Sequence, residues 1–176
     1  MTRKIPDAIN RARGFVLANP EQARSTGSAA TATIEAGLRC RVSGPNGAVL
    51  ISDMTPGLGG DGSAPSPGWL MRAAHASCDA TLIAMKAAEE GVELSRLEVV
   101  VDSESDDRGL LGMSDEVPAG PISTRVRINV AASGVTEERL REIVAWAREH
   151  SPVDDAMARA VPVTVEVQVA GAAVAQ

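Results

Sequence analysis

Tyrosine is absent from the 176-residue sequence, phenylalanine occurs once and tryptophan twice. Without stacking platforms, single-strand nucleic-acid binding loses its usual apparatus. Seventeen Lys and Arg against 23 Asp and Glu leave a net charge of −6, the wrong sign for a phosphate-binding surface. No apolar run approaches the roughly 20 residues of a membrane span. The opening segment "MTRKIPDAINRARGF" lacks the apolar centre of a secretory signal. Two cysteines do not make a disulfide framework in a chain of this size. These absences lead us to expect a cytoplasmic protein with no nucleic-acid or membrane partner. What is present is a 44% hydrophobic complement, which excludes disorder of the whole chain and predicts a core of Ala, Val, Leu, Ile and Met.

Residues 1–30 read as an N-terminal extension. Ala8, Ile9, Ala12, Phe15 and Val16 suggest a short amphipathic helix, followed by a polar linker, and the extension is expected to pack on a partner chain. The main domain, 31–176, begins with two strands, Thr31–Val42 and Ala48–Met54, joined by the turn signal "SGPNG". The Gly/Pro/Ser-rich "TPGLGGDGSAPSP" then leads to a long helix. Ser66 suits its N-cap, Pro67 its first position and Gly91 its stop. Met71, Ala74, Cys78, Thr81, Leu82 and Met85 form its apolar face by spacing, opposite a polar stripe of Arg72, His75, Asp79 and Lys86. Strands follow at Arg96–Asp102 and Thr124–Ala131, with an acidic loop between them. A second helix spans about 137–150 and a short third starts in "SPVDDAMARA". Val163, Val165, Val167 and Val169 alternate as a last strand. This order predicts an α+β fold, a mostly antiparallel sheet packed on a long central helix.

The motifs are sparse. "GLGGDG" matches the glycine spacing of a dinucleotide loop but opens no helix in a parallel βαβ unit, so it reads as a flexible connection. "DSESDDRGLLG" begins like a calcium loop, yet Asp107 stands where the turn glycine belongs. Cys40, His75, Cys78 and His150 match no zinc spacing, and neither a metal nor a cofactor is expected. No G-x-S-x-G elbow is present. That leaves Cys78. Periodicity alone makes it a packing residue, since free cysteine is among the most buried types.

In their order and spacing, the Gly-rich loop, the helix "GWLMRAAHASCDATLIAM", the segment "AREHSPV" and the Val-rich last strand resemble the OsmC/Ohr family of osmotically inducible and organic hydroperoxide resistance proteins. The resemblance implies an intertwined homodimer with thiol sites at its interface and reduction of organic hydroperoxides. Cys78 then corresponds to the attacking cysteine and Arg39 to the Arg that keeps it ionised. Two positions depart from the pattern: Ser151 stands at the second cysteine and Gly68 at the Arg-holding Glu. Cys40, His75 and Ser151 are therefore accessory candidates, and an external thiol reductant is the expected partner for Cys78. The rival reading is a noncatalytic protein of this fold that binds an apolar small molecule at the dimer interface.

Overall fold

The computed structural model describes residues 4–169, which form an α+β fold with two antiparallel sheets. Helix α1 (Lys4–Ala18) is followed by three short strands, β1 (Thr31–Ala36), β2 (Arg39–Ser43) and β3 (Val49–Ser52). The long helix α2 (Pro67–Glu89) then leads to β4 (Leu94–Glu104), a short α3 (Asp107–Leu110) and β5 (Ser123–Ala132). Helices α4 (Glu137–Glu149) and α5 (Pro152–Ala158) complete the set.

The first expected strand is in fact two. Gly37 turns the chain with φ +55°, and Ile34 pairs with Cys40 across the resulting hairpin. A single Gly with φ > 0 is enough to reverse a strand, because no Cβ opposes the left-handed conformation. The Gly-rich segment also differs from the flexible connection expected. Gly60 N–H donates to Thr55 O, Gly62 N–H to Met54 O, and Ser63 N–H to the Asp53 carboxylate. A Cβ on Gly60 would lie 2.1 Å from Met54 O, so the loop closes only with glycine there.

Helix α2 obeys its sequence signals. Ser66 Oγ accepts from Trp69 N–H at 3.2 Å and Pro67 occupies the first turn. At the far end Gly91 adopts φ +72°, while Val92 N–H reaches Ala87 O and Gly91 N–H reaches Ala88 O. This is a Schellman stop. The buried stripe is not the one that spacing selected, however. His75, Asp79, Ile83 and Ala87, four residues apart, are buried, whereas Ala74 and Thr81 are exposed and Cys78 is half-buried. The supposed polar stripe contributes two of the four buried positions. A helix apolar around most of its circumference does not specify which side meets its own chain; β4, α4 and α5 decide it.

Ile83 and Ala87 pack on Ile143 and Ala147 of α4, with Leu97, Val99 and Ile128 of the β4–β5 pair closing the cluster. Each fully buried isoleucine contributes about 1.5–3 kcal/mol. Helix α1 lies against α2 of its own chain, where Arg13 pairs with Glu89 through both terminal guanidinium nitrogens. Among the described residues the expected final strand is not formed: 163–169 pair with no other strand, and Val163, Val165, Val167 and Val169 are 76–85% exposed. Alternation states a preference for pairing, and it does not by itself say which edge the segment takes. None of the described helices is long and apolar enough to cross a membrane.

Candidate thiol site

Cys78 sits near the middle of α2, and what faces it is set by the start of α5. Ser151 is fully buried and caps α5, its Oγ accepting from Asp154 N–H at 3.3 Å. The same hydroxyl donates to Cys78 Sγ at 3.3 Å. One serine thus ties the thiol to α5 while satisfying the helix end, and Pro152 behind it needs no N–H partner.

The remaining sequence candidates distribute themselves around this pair. His75 lies one turn before Cys78, with Nε2 3.6 Å from Asp79 Oδ2 and 3.4 Å from Asp154 Oδ1. Asp154 Oδ2 accepts from Arg148 Nε at 3.1 Å. Cys40 is on β2, half-buried and reduced, with its sulfur 3.9 Å from Arg41 O. Arg39, also on β2, donates from Nε to Glu35 at 3.3 Å and from a terminal nitrogen to Ser63 Oγ at 2.8 Å. Within the described chain no hydrogen bond joins Arg39 or Cys40 to Cys78. His150 is likewise elsewhere: its ring stacks on Trp146 with centroids 4.1 Å apart.

Arg39 is nevertheless well held. Ser63 Oγ passes the contact on to Asp53 Oδ2 at 2.8 Å, and Asp53 also accepts from the Ser63 and Met54 amides. The Ser63 amide, then its hydroxyl, hold the Asp53 carboxyl below the usual carboxylate range. Glu35, across the Gly37 turn from Arg39, accepts from its Nε. Sequence reading missed Glu35, Asp53, Asp79 and Asp154 as site groups. A signal existed for Asp79, one turn after His75 on the same helix; Asp154 gave none, since only the fold brings α5 to α2.

A cleft of about 600 Å³ opens beside the N-terminal part of α2, lined by Met54, Leu58, Gly68, Met71, Arg72 and Leu110 among others. In the acidic loop, Asp106 is committed to local work. It caps α3 and pairs with Arg108, whose side-chain hydrogen bonds hold its pKa at about 2. That carboxylate is spoken for without a calcium ion.

The family model for OsmC-like protein matches residues 60–166. The fold is similar to that of an organic hydroperoxide resistance protein OsmC from Legionella pneumophila, 21% identical, with a TM-score of 0.56 over 76% of this chain and 90% of that one. An organic hydroperoxide resistance protein from Elizabethkingia anophelis is 18% identical, with a TM-score of 0.57 over 77% and 91% of the two chains. An OsmC-like protein of unknown function from Vibrio cholerae is 12% identical, with a TM-score of 0.63 over 75% and 94%. Among curated proteins there is no match.

Proposed function

Because this chain belongs to the OsmC-like protein family, we propose that it reduces organic hydroperoxides with Cys78 as the single attacking thiol. The observation that carries the reading is the Ser151 hydroxyl donated to the Cys78 sulfur. Support also comes from two neighbours in fold that are named organic hydroperoxide resistance proteins.

The reaction balances without a second protein cysteine. The Cys78 thiolate attacks the terminal, hydrogen-bearing oxygen of ROOH, the O–O bond breaks, and alkoxide leaves to become an alcohol on taking a proton. Sulfur is left as sulfenic acid. An external thiol condenses with it, releasing water and forming a mixed disulfide; a second external thiol then restores Cys78 and departs as a disulfide. Ser151 has no part in resolution and acts on the sulfur by hydrogen bonding.

A homodimer belongs to this reading. The exposed valines at 163–169, together with Ile34, Leu50 and Trp69, which are 48–60% exposed, supply the apolar surface a second copy would cover. Arg39, held by Glu35 and Ser63, is the cation such an association would bring to a thiol. The test is peroxide consumption with a small-thiol reductant. Activity no greater than that of Cys78→Ser would sink the proposal.

The cleft at Gly68 favours a second reading, binding of an apolar small molecule. Its volume falls within the range of ligand sites, and Met71 lies two turns, about 11 Å, before Cys78 on α2. Ligand carried through purification would be seen by native mass spectrometry and lost in Leu58→Trp, with thiol reactivity unchanged.

A further inference from the structure

Beside the thiol, three side chains converge without the partners that burial demands. His75 is 3% exposed and Asp79 0%, one turn apart on α2, and Asp154 reaches in from α5. Neither ring nitrogen of His75 and neither oxygen of Asp79 has a hydrogen-bond partner among the described residues. A buried carboxylate left without hydrogen bonds is strongly disfavoured. A cation in their midst removes that cost.

The two His75 contacts are spaced more like ligands of one metal than like direct hydrogen bonds. A hydrogen-bonded imidazolium–carboxylate pair would draw nitrogen and oxygen to about 2.7–2.9 Å. The two contacts of His75 Nε2 are instead 3.4 and 3.6 Å, and donor atoms of all three residues lie within 4.8 Å of one another. Zinc bonds of about 2.0–2.2 Å at tetrahedral angles place neighbouring donors about 3.3–3.5 Å apart. We propose that His75, Asp79 and Asp154 bind one divalent cation, with zinc the best fit to the donor set and its spacing.

The surroundings suit such a site. Two carboxylates balance the two charges of the ion. Arg148 holds the outer oxygen of Asp154 at 3.1 Å, turning the other toward His75, as second-layer partners of metal ligands do. Three protein ligands leave a fourth position open. A cleft of about 290 Å³, lined by His75, Thr124, Arg148, Asp154 and Met157 among others, gives water or a small anion access to it. Cys78 is not required as a donor, because its sulfur is engaged by Ser151.

The experiment uses the full chain, stripped with a chelator and titrated with zinc against a chromophoric competitor. One tight equivalent per chain is expected, retained in Cys40→Ser/Cys78→Ser and weakened about tenfold or more in His75→Ala and in the near-isosteric Asp79→Asn. Cobalt(II) added to wild type offers a second readout that needs no variant to fold. Tetrahedral visible bands without the near-ultraviolet thiolate absorption are expected. No binding by wild type, binding lost with the cysteines, or a thiolate band on cobalt would each overturn the proposal. Because the cysteine-free variant retains the site, failure here is distinguishable from failure of the peroxidase reading.

Discussion

Ser151 Oγ stands 3.3 Å from Cys78 Sγ and donates to it while capping α5. Two roles meet in one atom, so replacing it has separable consequences. Ser151→Ala is expected to lower stability by about 1 kcal/mol through the lost cap, and to slow alkylation of Cys78 near neutral pH. Denaturant melts and iodoacetamide kinetics read the two effects. Loss of stability with unchanged alkylation would leave Ser151 a cap alone.

The same proximity makes position 151 suitable for a second thiol. In Ser151→Cys, organic hydroperoxide is expected to produce an intramolecular disulfide between Cys78 and the introduced cysteine. Peptide mapping without reduction detects it. If only an external mixed disulfide or over-oxidised Cys78 appears, the two side chains do not reach bonding geometry.

Asp53 gives the fold an acid dependence. Its carboxyl is held low by Ser63, so the folded pKa lies below the unfolded value of about 3.9. The ionised form therefore contributes stability that is complete above about pH 4 and is lost as pH falls through the depressed value. Asp53→Asn should be less stable than wild type at pH 7, with a shallower loss between about pH 4 and 2. Equal slopes in urea melts across that range would assign the acid sensitivity to other groups.

Two glycines predict opposite signs. Gly60→Ala places a methyl 2.1 Å from Met54 O, and a cost of about 1–3 kcal/mol is expected. At Gly68 the nearest atoms to a Cβ are 3.9 Å away, and the position is helical. Gly68→Ala is expected to gain about 0.5–1 kcal/mol. Thermal melts of the two variants, measured side by side, check both.

The valines at 163–169 provide a test of association. Val165→Glu is expected to convert a dimer to monomer in light scattering, with little change in the helical signal of the chain. Their exposure of 76–85% leaves no core contact for the substitution to break. An unchanged molar mass would remove this segment from the proposed interface.

Local chemistry was enough to settle many elements. Ser66, Pro67 and Gly91 delimited α2 because caps and stops act through backbone groups a few residues away. Strands β4 and β5 were each legible from composition and alternation, while their pairing came from the fold. Cys78 and Ser151 were both visible as candidates, the resemblance setting Ser151 at the position of the second cysteine, whereas the hydroxyl donated to the sulfur while capping α5 came only from the fold. The Gly37 turn was not legible, since a turn inside an alternating run leaves its periodicity almost intact.

What the sequence determined by itself was the α+β class, the long helix and the thiol on it. Only the tertiary structure decided which side of that helix is buried. Spacing placed Cys78 on the apolar face and His75 with Asp79 on a polar stripe. Packing against α4 and α5 buried His75 and Asp79 instead, and left Cys78 half-buried under Ser151. The reason is that periodicity reports where apolar groups lie along one helix, whereas burial depends on what other elements bring to it. Asp154 and Arg148 come from α5 and α4 and close over two residues that spacing alone leaves facing solvent.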